Sequence, residues 1–442
     1  MPTSANGEVA APFDPVGRVL GAIRAEFIGL DDGHPADYIP ELSAADPHAF
    51  GLALAGVAGS VYRAGEASSE FTIQSISKPF VHALALADVG ADGVLARVGV
   101  EPSGEAFNAI SLEPGTGRPA NPMVNAGAIV TSSLIRGADS IERFERIRGM
   151  LSRCAGRELE VDDAVYRSER DTGDRNRALA YLMRHAGSLT APVEEVVDVY
   201  FRQCAVQVTA ADLAVMAATL ANGGVNPCTG TAVIDPPIVE QVLTVMATCG
   251  MYDFSGEWLV RVGLPAKSGV AGGLIAVSPS QFGIGLFSPP LDPRGNSVRA
   301  VAASAAISER LSLHLMHQVR RTAPSFTRMP QETGPDGRPV DRVPVLELQG
   351  DIEFPVAEQA LLAINTRADN PERPTALIVD LDHVTGCNPI AAGLLDVVIA
   401  ELSQRGLAIV TVDQQGRTLV RAAAEFATVA EAQAHLGSLA AR

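Results

Sequence analysis

The ten residues FTIQSISKPF (71–80) carry the reading on which the fold turns. Ser75 and Lys78 stand three apart, so a helix through this stretch puts them on one face and brings the amine within reach of the hydroxyl. Pro79 has no N–H for a helix interior and is best accommodated in a first turn, which predicts a helix start close to Ser75. A serine there sits at the positive end of the helix dipole, where a backbone N–H can hold an oxyanion. Its hydroxyl is a weak nucleophile until a neighbouring base takes the proton. A desolvated lysine can be that base and an arginine cannot. Ser77 is a rival nucleophile, but adjacent to Lys78 its side chain points away.

Composition singles out the same lysine. The 442 residues include 34 basic ones, of which only Lys78 and Lys267 are lysine and the other 32 are arginine. Lys267 lies in PAKSGVAGGL (265–274), directly before a strand-like run. A Ser-x-x-Lys followed far downstream by Lys-Ser-Gly resembles the signature of serine acyl-transfer enzymes of the β-lactamase and penicillin-binding type. On that reading Lys267 is a fixed positive charge on the strand lining the pocket. Gly269 and Gly272 let substrate approach the backbone, and the Val270 N–H is the second oxyanion donor. None of the eight histidines falls in either motif, so a Ser-His-Asp triad is not expected. His314 and His317 read as a solvated face of the last helix rather than half a metal site.

Around these motifs the chain divides at 322–342, TAPSFTRMPQETGPDGRPVDR, which is rich in Pro, Gly and charge and reads as a linker. The expected domains are 1–321 and 343–442. The first begins with an amphipathic helix (Val16, Val19, Leu20, Ile23, Phe27) and continues with helices over VEEVVDVYFRQ and ADLAVMAATLANGG. GVAGGLIAVS and FGIGLFS, joined by the turn-like SPSQ, predict an antiparallel hairpin. SVRAVAASAAISERLSLHLMHQV closes the domain as helix. The tail alternates strand (VPVLELQG, TALIVDLDHV, LAIVTVD) with helix (FPVAEQALLAINTRAD, PIAAGLLDVVIAELSQRG), which argues a small α/β domain. The fold class is α+β multidomain.

The net charge of −17 disfavours nucleic acid and anionic membranes as partners. No run approaches the ~20 apolar residues of a membrane span, and the N-terminus lacks the pattern of a secretory signal. A cytoplasmic location is expected. The five cysteines are scattered and form no CxxC pair, so they read as reduced thiols, with Cys204 and Cys228 as core fillers.

Five further blocks extend the resemblance: EPSGEAFN (101–108), NPMVNAGAI (121–129), SERDTGDRNRALAYLM (168–183), QCAVQVTAADLAVMAATLANGGVNP (203–227) and MYDFSGEWLVRVGLPAKSGVAGGL (251–274). In this order, over roughly residues 15 to 315, they resemble the serine-dependent glutaminases, which have a β-lactamase-like fold and hydrolyse L-glutamine to L-glutamate and ammonia. The resemblance implies Ser75 as nucleophile with Lys78 as its partner and Asn125 as a substrate ligand. It implies Glu169 and Asn176 at the α-amino and α-carboxylate ends. Tyr200 and Tyr252 flank the amide, Tyr252 sharing the base role with Lys78, and Val270 completes the oxyanion hole. It calls for no metal or organic cofactor and for a homodimer or homotetramer. The mixture suits a zwitterion, which wants an anion for its ammonium and neutral donors for its carboxylate.

The tail, over about 343–435, resembles the STAS domains of sulfate transporters and anti-sigma-factor antagonists. Their phosphorylated serine loop reads VTGCNPIAAG here, with Asn388, Pro389 and Ile390 in place of a hydroxyl. A docking or small-molecule-sensing role is expected instead. Two other functions fit parts of the pattern: a penicillin-recognising hydrolase or peptidase, and a regulatory protein acting through its tail.

Overall fold

In the computed structural model, residues 14–37, 39–104, 112–113, 115–317, 326–328, 343–368, 375–417 and 419–440 are described. They form two compact units, one built on residues 17–309 and the other on 316–442.

In the larger unit, helices α1 (Pro15–Phe27) and α2 (Pro40–Ser43) precede strands β1 (Gly51–Gly56), β2 (Val61–Gly65) and β3 (Phe71–Thr72). Six helices follow: α3 (Ser77–Leu95), α4 (Asn125–Ser133), α5 (Ser140–Ala155), α6 (Asp163–Thr172), α7 (Asp174–His185) and α8 (Val193–Cys204). Then come β4 (Gln207–Val208), α9 (Ala210–Ala221), α10 (Pro236–Cys249), α11 (Ser255–Arg261), β5 (Ala266–Ser268), β6 (Gly273–Ser278), β7 (Phe282–Phe287) and α12 (Val298–Arg310). The body is α+β: helices against an antiparallel sheet ordered β2-β1-β7-β6-β5.

Helix starts follow from short polar side chains that accept otherwise orphaned N–H groups. Asp139 caps α5 through the Glu142 N–H, Asp162 caps α6, and Thr209 with Asp212 forms a full capping box on α9. Every residue of α9 is buried, the mark of a helix apolar all round. It lies against a lane of small side chains made by Gly283 and Gly285 of β7, which pair with Ala55 and Ala53 of β1. A Cβ on Gly283 would stand 2.0 Å from the Ala218 nitrogen, and one on Gly285 2.1 Å from the Ala210 carbonyl oxygen.

The predicted β6–β7 hairpin is present, but the sheet is larger than expected because β1 and β2 add a second hairpin. The closing helix expected to run to 319 stops at Arg310, and Ser312 takes a left-handed φ of 56°. His314 and His317 therefore do not sit on a helix; His314 packs its ring against Gly263, where a Cβ would meet it at 2.3 Å.

The smaller unit contains β8 (Phe326–Arg328), β9 (Val345–Ile352), α13 (Phe354–Ala368), β10 (Ala376–Cys387), α14 (Pro389–Gln404), β11 (Ala408–Val412), β12 (Glu425–Phe426) and α15 (Val429–Ala440). Its sheet order is β12-β11-β10-β9-β8, with β9 to β12 parallel and β8 antiparallel on the edge. The stretch read as linker therefore includes a strand, β8; its other residues lie outside those described, as do residues 105–111, which overlap the first signature block.

Adding a branched side chain to the glycine lane wedges α9 off the sheet. Gly285→Val should destabilise the larger unit by at least about 2 kcal/mol, read by denaturant unfolding; wild-type stability would contradict the close approach.

Candidate active site

Ser75 is placed by three short elements in succession. β3 pairs with β4 and the Ile73 N–H bonds Val206 O at 2.7 Å, a single 3₁₀ turn spans Gln74–Ile76, and α3 starts at Ser77. Gln74 adopts a left-handed φ of 51° and Tyr252 one of 57°. Backbone strain at two non-glycine residues flanking one serine is tolerated only where surrounding structure holds it. Gln74 Nε2 donates to Thr72 Oγ1 at 3.2 Å, and the Gln74 side chain also hydrogen-bonds the Glu169 carboxyl.

Lys78 is buried with three acceptors around its amine: Asn125 Oδ1 at 2.7 Å, Met123 O at 3.1 Å and Tyr252 Oη at 3.4 Å. The Ser75 hydroxyl hydrogen-bonds the same phenol. Serine, phenol and amine thus form one chain, in which Tyr252 connects the pair that the three-residue spacing was expected to join directly. Ser77 is taken up structurally, donating to Gln74 O at 2.7 Å and accepting from Gln203 Nε2 at 3.3 Å. Its candidacy as nucleophile falls on that ground.

A cavity of about 360 Å³ opens on this chain. Of the residues named from sequence, Ser75, Asn125, Glu169, Asn176, Tyr200 and Val270 line it. Asn125 Nδ2 donates to Asn176 Oδ1 at 3.1 Å, so the two amides are oriented as a pair. Sequence reading missed Gln74 and Cys204 in the wall, besides Thr172, Gly173 and Arg175 next to the named Glu169 and Asn176. Adjacency to Ser75 could have flagged the first, and the i+4 spacing from Tyr200 along α8 the second. Cys204 is a buried core residue, as expected, that also reaches the pocket wall, whereas Cys228 is exposed rather than core filler.

Burial governs the electrostatics. It pushes Lys78 down to about 7, against the opposing pull of Cys204 and Glu169. It pushes the Glu169 carboxyl up to about 7, against the Gln74 hydrogen bond and Lys78. It raises the Tyr200 and Tyr252 phenols, so both stay protonated at neutral pH.

Lys267 lies deeper than a strand-end lysine. It is 0 % exposed behind the pocket, with Nζ 3.9 Å from the Tyr252 ring centroid and donating to Ser268 O at 2.7 Å. Burial, then the neighbouring Lys78, hold it well below the ordinary lysine range. Packed on an aromatic face and not among the residues that line the cavity, it sits where burial disfavours its charged form. Gly269 and Gly272 serve packing rather than substrate approach: a Cβ would lie 3.0 Å from Ile73 O and 2.3 Å from Ser288 O respectively. No group of His, Cys, Asp and Glu among the described residues gathers as a metal site, and no described helix is long and apolar enough to cross a membrane.

An α+β body with a hydroxyl, a phenol and a depressed amine at the foot of a polar cavity defines a hydrolase for a small polar substrate. Its relatives narrow that class. The glutaminase family profile matches residues 33–316. "Glutaminase" of Trichormus variabilis is 51 % identical over 314 residues, covering 71 % of this chain and 94 % of its own. "Glutaminase 2" of Bradyrhizobium diazoefficiens is 47 % identical over 431 residues, 94 % of this chain and 67 % of its own. The solved structure of Mglu in its glutamate form superposes with a TM-score of 0.68 at 38 % identity, covering 91 % of this chain and 99 % of that one. The chain belongs to the glutaminase family, and its reaction is hydrolysis of the side-chain amide of L-glutamine.

The Lys267 assignment has a thermodynamic signature. A native amine held below the unfolded lysine value of about 10.4 binds fewer protons than the unfolded one as pH climbs toward that value, so native stability rises with pH there. Lys267→Met should lose that part of the rise in Tm, measured by calorimetry; an unchanged slope would mean that Lys267 is protonated in the fold.

Proposed function

We propose that glutamine is hydrolysed through an acyl-enzyme on Ser75. The observation that carries this is the hydrogen-bonded chain from the Ser75 hydroxyl through the Tyr252 phenol to the Lys78 amine, whose affinity for a proton burial has lowered to about 7. Ser75 Oγ attacks the side-chain carbonyl while its proton passes through Tyr252 to Lys78. Tyr252, kept protonated by burial, acts as a relay. The carbonyl oxygen gathers negative charge against the N–H groups of Ser75 and Val270. Lys78 then returns its proton through the phenol to the departing nitrogen, and ammonia leaves. Water, activated by the same chain, hydrolyses the ester to glutamate and restores Ser75.

Substrate orientation falls to the rest of the wall. Glu169, in its anionic form, takes the α-ammonium, while the Asn125–Asn176 pair offers amide donors to the α-carboxylate. Tyr200 and Tyr252 flank the reacting amide. Lys267 acts through Tyr252, supporting one face of its ring.

The remaining assignments rest on resemblance. Residues 1–321 form a β-lactamase-like catalytic domain and 343–442 a STAS-like domain, in a cytoplasmic homodimer or homotetramer. In the tail loop, Asn388 Oδ1 accepts the Ile390 N–H at 2.9 Å and caps α14, a structural use of the position where regulatory relatives carry a phosphorylated serine. Docking of a protein or small molecule fits this loop better than phosphorylation.

Ser75→Ala should lower ammonia release from glutamine at least about a thousandfold. Lys78→Arg, which keeps charge but cannot deprotonate, should be nearly as damaging. Because Lys78 must be neutral and Glu169 ionised, kcat/KM in the wild type should fall as pH drops below about 7. A folded Lys78→Arg enzyme with normal turnover would overturn the base assignment.

A further inference from the structure

Of the three groups around the Lys78 amine, two can only accept. Met123 O, 3.1 Å away, is a backbone carbonyl, and Asn125 Oδ1, at 2.7 Å, is an amide oxygen. A neutral amine has two N–H bonds and one lone pair. With the N–H bonds given to those two oxygens, the lone pair is left for the third group, the Tyr252 phenol at 3.4 Å. The two acceptors therefore aim the base.

Met123 O is held by its own loop. The buried Asn121 accepts the Met123 and Val124 N–H groups on Oδ1 at 3.0 and 3.2 Å and donates to Glu101 O at 2.8 Å. Helix α4 packs onto this loop so closely that a Cβ on Gly127 would stand 1.9 Å from Asn121 O. Asn125 Oδ1 belongs to a side chain, and its direction depends on what holds the other end of the amide. That end is Nδ2, which donates to Asn176 Oδ1 at 3.1 Å. Toward Lys78, Asn125 must present its oxygen; toward Asn125 Nδ2, Asn176 must present its own. Asn176 Nδ2 is then the end left for the cavity, which both amides line.

We propose that Asn125 is a positioning residue that couples recognition of the substrate α-carboxylate to the lysine base, so that substrates without that carboxylate are rejected in kcat. A carboxylate on Asn176 Nδ2 holds that amide in the orientation that accepts from Asn125. Asn125 in turn keeps Oδ1 on Lys78 and the amine lone pair on Tyr252. The chain runs from carboxylate through Asn176, Asn125, Lys78 and Tyr252 to Ser75. Without the carboxylate Asn176 can turn over, Asn125 follows, and the base is no longer aimed. Binding energy at one end of the substrate is used at the other. The proposal rests on the acyl-enzyme mechanism above.

Position 125 also has to be uncharged. The titratable groups facing Lys78 among the described residues are Glu169 from α6, Cys204 from α8, Tyr252 and Lys267 from β5. Glu169 is the one carboxylate among them. A second one at position 125, against the amine, would hold the proton on Lys78, whereas an amide of the same shape orients the amine without that charge.

The test compares ammonia release from L-glutamine and from 4-aminobutanamide, which is glutamine without its α-carboxylate. In the wild type, kcat should fall at least about a hundredfold on loss of the carboxylate. In Asn125→Ala, kcat for glutamine should drop until the two substrates lie within about fivefold of each other. The KM preference for glutamine should persist there, since Asn176 is still present. Asn125→Asp should move the acid limb of kcat/KM for glutamine up from about 7 by at least about one pH unit, with activity regained above it. A kcat ratio in Asn125→Ala equal to that of the wild type would overturn the coupling, as would an Asn125→Asp limb left near 7 or no activity regained above it. If Asn125→Ala fails to fold, or 4-aminobutanamide turns over too slowly to measure, the pH limb of Asn125→Asp decides alone. Ser75→Ala and Lys78→Arg, assayed alongside, separate the two readings. Turnover that survives in them overturns the mechanism; inactive variants with an unchanged kcat ratio overturn the coupling only.

Discussion

Two lysine amines, one on Tyr252's hydroxyl and the other over its ring, are kept out of water, and much of the larger unit is arranged to make that possible. Moving an ammonium from water to a protein interior costs several kcal/mol, so a buried lysine either finds partners or gives up its proton. Lys78 has a carbonyl, an amide oxygen and a phenol within reach and is poised between the two states. Lys267 has one carbonyl and an aromatic ring, and burial, then Lys78 nearby, lower its hold on a proton. Arginine could serve at neither position, since guanidinium does not deprotonate in proteins. In a chain whose other basic residues are all arginine, both lysines stand where a removable proton matters.

Holding those amines against Tyr252 requires rigidity on every side. Gln74 and Tyr252 keep left-handed backbones that cost about 1–3 kcal/mol each. The close approach of α9 to the Gly283–Gly285 lane and of Gly250 to Ala266 leaves little room for them to relax. The polar groups of the cavity, Glu169 with Gln74 and Asn125 with Asn176, are oriented by one another before substrate arrives.

Much of this was legible in the chain. The Ser-x-x-Lys spacing, the helical periods of α8 and α9 and the alternation of strand and helix in the tail are local patterns, and local patterns survive without knowledge of the fold. β1 was not legible because GLALAG is buried on both faces and built from small residues, so no two-residue alternation marks it. β8 hid inside a Pro- and Gly-rich stretch. The state of Lys267 could not be read because burial is a property of the neighbours. The same sequence at a strand end would be charged in water, whereas burial beneath Tyr252 disfavours that charge. The relay through Tyr252, 174 residues from Lys78, and the place of Cys204 in the pocket wall are likewise products of tertiary contact.

The two-lysine composition allows the central claim to be measured directly. Incorporating lysine labelled with ¹³C at Cε gives two side-chain resonances, distinguished by their loss in Lys78→Arg or Lys267→Met. Their chemical shifts should be followed from pH 5.5 to 10.5. Lys78 should titrate near pH 7 and Lys267 well below the ordinary lysine range. Titration of both amines near the ordinary lysine value of about 10.4 would contradict a buried neutral amine as the base that activates Ser75.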